Sequence, residues 1–152
     1  MRCWYQYMTY QIIYSSVSST PMQVDELEDI LEQAQSRNDS KGITGALVYV
    51  DGFFLQVLEG EKDSVENLMQ KISNDFRHET VTVLHAGDIP SAAFYDWKMA
   101  YISATQEQVA RWAGLSVTTK LPEIWEDMRQ DPNRASQVTK SILSVLVGGP
   151  SS

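Results

Sequence analysis

Residues 53–60 read FFLQVLEG. They follow Asp51-Gly52, a dipeptide suited to the left-handed backbone of a tight hairpin turn, and they stop at Gly60. Nearly every side chain between these two points is apolar, as in a strand buried on both faces. Gln56 interrupts the run. Its amide carries two N–H donors and a carbonyl acceptor, and a polar group left unpaired in an apolar interior costs about 1–3 kcal/mol. The stretch therefore fixes a hairpin and also poses a chemical question: what satisfies Gln56?

Working outward, ITGALVYV (43–50) supplies the other strand of the hairpin. TYQIIYSS (9–16) is rich in β-branched and aromatic residues and predicts a first strand, closed by a Ser/Thr-rich turn that runs to Pro21. Val24, Leu27, Leu31 and Ala34 then recur at helical spacing, with Asp25, Glu26, Glu28 and Asp29 in the first turns, where the helix dipole favours acids. This helix is expected to end near Asn38. Val65, Leu68, Met69 and Ile72 mark a second amphipathic helix. TVTVLHAG (80–87) and, after a loop containing Pro90, WKMAYIS (97–103) complete the strands. The order βαββαββ predicts an α+β, ferredoxin-like mixed sheet with both helices on one face.

From about Thr105 the strand-like runs give way to EQVARWAG (107–114), LPEIWEDMRQ (121–130) and RASQVTKSILSVLV (134–147), which read as short helices separated by turns at Gly114 and Pro132. The expected division is a domain over 9–103 and a C-terminal helical extension over 104–149. Trp112, Trp125, Ile142, Leu143 and Leu146 give that extension an apolar set too small to fold alone. It is expected to dock on the sheet or on another chain, and its apolar surface suggests self-association or partner binding.

The 152 residues suit one domain plus an extra element. With 20 acidic against 12 basic residues and a net charge of −8, the chain lacks the concentrated cations of a nucleic-acid or anionic-membrane surface. No run approaches the roughly 18 apolar residues of a membrane span, and a cytoplasmic location is expected. A single cysteine and two histidines exclude an intrachain disulfide and an ordinary structural zinc site. KGITGAL (41–47) has glycines at 42 and 45 but neither a dinucleotide fingerprint nor a phosphate loop. No Ser/His/Asp set can be assembled from spacing, and the carboxylates read as solvated helix faces.

What remains is polar or soft groups at unusual places on the sheet. Strand period two groups Ile12 with Tyr14, Phe54 and Leu58 with Gln56, and Trp97 with Met99. Taken singly, Tyr14 reads as a core tyrosine, Gln56 as a solvated glutamine, and Trp97 and Met99 as core residues. Asn38 reads as a helix C-terminal residue, and Arg77 and His78 as a solvated pair near a helix end.

Taken together, IIYSS (12–16), DELEDILEQAQSRN (25–38) followed by GITGALVY (42–49), DGFFLQVLEG (51–60), ISNDFRHE (72–79) and FYDWKM (94–99) form five motifs in order. In these the chain resembles the BLUF family, sensors of blue light using FAD, over residues 9–103. The resemblance implies a non-enzymatic photoreceptor with FAD as its noncovalent cofactor. It supplies the partner of Gln56, a flavin ring edge shared with the Tyr14 hydroxyl, and it makes Tyr14 the electron and proton donor. It further implies that Asn38 holds the ring, that Ile30 and Ile72 sandwich it with Phe54 nearby, and that Arg77 and His78 lie near the ribityl-phosphate end. Trp97 and Met99 would relay the signal, and no metal is implied. The output would be a protein contact, with a response-regulator-like protein, an enzyme controlled in trans, or other copies of the chain. A small flavin-dependent oxidoreductase and a light-independent ferredoxin-like ligand-binding module stand as alternatives, separable by colour and by the spectrum under blue light.

Overall fold

The computed structural model describes residues 8–18, 29, 32, 42–75 and 78–148. Five strands, β1 (Thr9–Ser18), β2 (Thr44–Val50), β3 (Phe53–Gly60), β4 (His78–Ile89) and β5 (Ala100–Ser103), form one sheet in the order β4-β1-β3-β2-β5. All neighbours are antiparallel except β2 and β5, which run parallel. Helix α1 (Lys62–Ser73) joins β3 to β4, and α2 (Gln106–Trp112), α3 (Leu121–Gln130) and α4 (Pro132–Leu146) follow β5. The α+β, ferredoxin-like sheet expected from the strand and helix order is the observed one. Of the expected first helix, Asp29 and Glu32 are helical and the rest lies outside the described residues.

The hairpin forms as its turn residues require. Asp51 and Gly52 both adopt positive φ, 47° and 82°, the pairing of a type I′ turn, whose twist matches that of the strands it joins. Strand alternation then sorts the side chains. Ile12, Tyr14, Leu47, Phe54 and Leu58 point to one face, where Val65, Leu68, Met69 and Ile72 of α1 cover them. Ile13, Val48, Leu55 and Val57 point to the other face and share a core with Ile124, Trp125, Met128, Val138 and Ile142 of the C-terminal helices.

The C-terminal helices carry their own start signals. Thr105 and Gln108 make a reciprocal capping box on α2, and the Asp131 side chain accepts the Asn133 N–H at the head of α4. Trp125 and Ile142 are buried, and Trp112, Leu143 and Leu146 pack against the same cluster. Of the two docking places expected for the extension, the sheet is the observed one: the sheet face needs an apolar cover, and the extension provides it. Strand five also differs from expectation. It begins at Ala100, so Trp97 and Met99 precede it. They lie in a connection closed by a turn, with the Trp97 N–H donating to the Phe94 carbonyl at 2.9 Å, and in a turn the period-two rule for facing side chains does not hold.

One glycine decides how closely β2 can lie on β3. A Cβ built on Gly45 would sit 1.9 Å from the Val57 carbonyl oxygen, a backbone atom. Gly45→Ala is therefore expected to lower stability by about 1–3 kcal/mol, as overpacking does, read as a lower urea midpoint. An unchanged midpoint would mean that the two strands separate there without cost.

Candidate functional site

Tyr14 of β1 and Gln56 of β3 are register partners, and Leu47 and Tyr101 continue the same row across β2 and β5. Directly opposed residues project to one face, so the register alone places the phenol beside the amide. The β1–β4 pairing shifts between Ile13 and Tyr14, an irregularity of the kind that re-aims a side chain. The Tyr14 hydroxyl donates to Gln56 Oε1. Gln56 Nε2 in turn donates to Met99 Sδ at 3.3 Å. Tyr14 is fully buried, and Gln56 and Met99 are buried with it.

Burial is the main cause that raises the Tyr14 pKa far above the ordinary tyrosine value, and the negative charge of Asp75 raises it further. The phenol therefore keeps its proton throughout the physiological range. The amide is different in kind. Tyr14 can donate or accept, but a thioether sulfur only accepts. Of the two amide orientations, only the one with Nε2 toward Met99 satisfies the sulfur, so Met99 selects the orientation and Tyr14 tolerates either.

Phe54 and Ile72 join the same apolar cluster, and the Phe54 ring lies 5.3 Å from that of Tyr49. Met99 joins it as well, whereas Trp97 packs edge-on to Phe94, 6.4 Å between centroids, against the opposite cluster. The expectation that Trp97 and Met99 share a face is not met: Met99 lies on the face of Gln56 and Trp97 on the other. Ile30, Asn38 and Arg77 lie outside the described residues, as does the side chain of His78, whose backbone opens β4. A cavity of about 260 Å³ follows Ser64, Asn67, Lys71 and Asn74 along α1, with Ile43 and Leu68 beneath. Among the described residues no group of three His, Cys, Asp or Glu could hold a metal ion, and no helix is long and apolar enough to cross a membrane.

Sequence reasoning missed Glu59. Its carboxylate is fully buried and accepts from Gln11, Thr44 and the backbone N–H groups of Ala93 and Phe94. The available signal was its place within FFLQVLEG, in an apolar strand and not on a helix face.

The profile of the family described as BLUF, sensors of blue-light using FAD, matches residues 9–100. The chain belongs to the BLUF family. This is a family of sensors, although some relatives carry the domain within enzymes. Photoactivated adenylate cyclase subunit beta of Euglena longa is 39% identical over 105 residues, covering 68% of this chain and 12% of that protein. The Euglena gracilis subunit beta is 37% identical over the same shares. The chain thus spans about an eighth of the length of these relatives. Among solved structures, BlsA in its photo-activated state superposes with a TM-score of 0.75 at 27% identity, covering 90% of this chain and 95% of that one. BlrB, a BLUF protein in its dark state, gives 0.71 at 22% identity, over 91% and 97%, a likeness of fold. A bacterial light-regulated adenylyl cyclase gives 0.62 at 26% identity, over 92% of this chain and 36% of that one.

The residues present fit the flavin that the BLUF family uses. Among the described residues, the partners of Gln56 occupy one amide N–H and one oxygen lone pair. A second N–H and a second lone pair remain for a ring edge bearing acceptors and a donor, and Phe54 and Ile72 belong to the apolar cluster that includes Tyr14.

The raised Tyr14 pKa has a consequence for stability. The unfolded phenol ionises near pH 10 while the folded one stays neutral, so the contribution of Tyr14 is complete below pH 10 and is lost as pH rises from there toward the folded value. Tyr14→Phe should remove this component, making the alkaline fall in unfolding free energy shallower by up to about 1.4 kcal/mol per pH unit above 10. Parallel alkaline profiles for the two proteins would contradict the shift.

Proposed function

We propose that this chain is a blue-light receptor that binds FAD noncovalently, uses Tyr14 as electron and proton donor, and signals by rearranging the hydrogen bonds of Gln56. The observation that carries the reading is the buried row Tyr14–Gln56–Met99. FAD when bound supplies blue-light absorption and, once excited, a strong oxidant. Tyr14 is placed to respond through one amide. Its hydroxyl proton is retained by burial until an electron has left, and Gln56 then accepts or returns that proton without any group moving far. Turning the amide over exchanges donor for acceptor at each end, so the buried network has two discrete orientations, a resting one that satisfies Met99 and a turned one that requires Met99 to move.

The site residues implied by the family complete the pocket: Ile30 and Ile72 as the apolar sandwich, Phe54 beside Gln56, Asn38 on the ring, and Arg77 and His78 toward the phosphates. In the same reading, residues 9–103 are the flavin-binding unit and 104–149 the extension that reports its state. Turning Gln56 presents its oxygen to the Met99 sulfur, acceptor against acceptor, and so displaces Met99 ahead of β5. Trp97, on the other face, follows as the next part of the same connection. The receiver of the signal is a cytoplasmic protein, either a response-regulator-like partner or an enzyme controlled in trans, or a second copy of the chain. The enzyme option is supported by the adenylate cyclases among the relatives. For a second copy, Val145 and Val147 at the end of α4 are among the exposed apolar side chains.

An absorption spectrum before and after blue light tests the reading. The purified protein should be yellow with about one FAD per chain, and light should shift the flavin band modestly to the red without bleaching. Tyr14→Phe and Gln56→Leu should each keep FAD and the fold, since neither opens a large cavity, yet lose the shift. Normal photoconversion in either variant would remove the assigned role. A stable reduced flavin would favour an oxidoreductase, and a colourless protein that cannot be loaded with FAD would favour a light-independent ligand-binding module.

A further inference from the structure

Glu59 is a buried carboxylate that the proposed photochemistry does not use. Both of its oxygens are taken up. Oε2 accepts from Gln11 Nε2 at 3.0 Å and from the Ala93 N–H at 2.9 Å, while Oε1 accepts from the Phe94 N–H at 2.8 Å and from Thr44 Oγ1 at 3.4 Å. Gln11 and Thr44 are the register partners of Glu59 on β1 and β2. One side chain thus ties three adjacent strands to two consecutive amides of the connection between β4 and β5. Those amides have no strand ladder there, and a carboxylate can serve both because each oxygen accepts independently. Glutamine, with one accepting oxygen, would set its NH₂ against one of them.

The connection leads directly to the functional row. Phe94, held by Glu59, accepts the Trp97 N–H, and the Trp97 carbonyl accepts the Gly45 N–H at 3.1 Å. Two residues later Met99 reaches Gln56. The same short segment places Phe94 and Trp97 in the cluster shared with the C-terminal helices and Met99 in the cluster around Tyr14. We propose that Glu59 is a positioning residue for the photoresponse: its carboxylate fixes segment 93–99 in the register that seats Met99, and not Trp97, against Gln56. Glu59 acts through Met99. The segment is also the route by which a change at Gln56 reaches the face carrying the helices. This proposal rests on the photoreceptor reading.

The test uses the FAD-loaded full chain and four proteins: wild type, Glu59→Gln, Met99→Ala and the double variant. Glu59→Gln should keep the red shift, because Tyr14 and Gln56 remain, but slow recovery in darkness by about fivefold, the worth of one ordinary hydrogen bond. The reason is that a loosened Met99 selects the resting amide orientation less strongly. Met99→Ala should also slow recovery, and the double variant should match Met99→Ala. A purely structural role would slow recovery by the same factor in both backgrounds, and that result, or unchanged recovery in Glu59→Gln, overturns the proposal. Should Glu59→Gln fail to fold, amide hydrogen exchange of the wild type in the dark decides instead. The Ala93 and Phe94 amides should exchange as slowly as those of β3, and exchange at the rate of open loops overturns the anchor. A wild type without any red shift defeats the photoreceptor reading, while the exchange measurement still judges the anchor by itself.

Discussion

A phenol, an amide and a thioether meet across the apolar face of a sheet, and the structure around them is arranged to keep that contact dry. The hydrogen bond from Tyr14 to Gln56 exists only because β1 and β3 pair in the register that sets these two residues opposite each other. A slip by one residue would turn Gln56 toward the C-terminal helices and leave its amide in an apolar cluster. The type I′ turn at Asp51-Gly52 and the close approach of Gly45 to the Val57 carbonyl hold the pairing of β2 with β3 on the other side. Burial then sets the chemistry. It raises the Tyr14 pKa and makes a mispaired amide costly, and together these turn an ordinary polar contact into one with discrete alternatives.

The sheet separates two environments. On one face α1 covers the Tyr14–Gln56 row, and on the other α2 to α4 cover Ile13, Leu55 and Val57. A strand is a stiff partition, since its backbone groups are committed to the ladder, so a change on one face is not readily passed through it. The connection ahead of β5 goes around the partition. Residues 93–99 contribute to both clusters and are secured at one end by a carboxylate buried in the sheet. Coupling of this kind depends on the segment having two arrangements.

Several elements were legible in the sequence for physical reasons that act locally. The hairpin followed from two residues that tolerate positive φ between apolar runs. Helix α1 followed from Val65, Leu68, Met69 and Ile72 at helical spacing, and α2 to α4 from the end of strand-like runs near Thr105 and from turns at Gly114 and Pro132. The pairing of Tyr14 with Gln56 was legible only as a family resemblance, because nothing in either strand alone states which residue of the other it faces. Trp97 was misplaced because alternation was read through a stretch that is a turn, and a turn breaks the period of two. The apolar residues of α3 and α4 were seen as needing cover from the sheet or from another chain, and the choice of the sheet was settled only by the packing.

By itself, then, the sequence determined the kinds of element, their order, the apolar faces and the presence of an amide that needed a partner. These are consequences of backbone propensity and side-chain period, which each short segment carries within it. The tertiary structure alone decided that Met99 is the sulfur beside Gln56, that Trp97 packs with Phe94 on the far face, and that Glu59 lies inside the fold with four donors. The contacts of Met99 and Glu59 join residues far apart in the chain, and whether a carboxylate at a strand end meets water or two backbone amides depends on where a loop some thirty-five residues later returns.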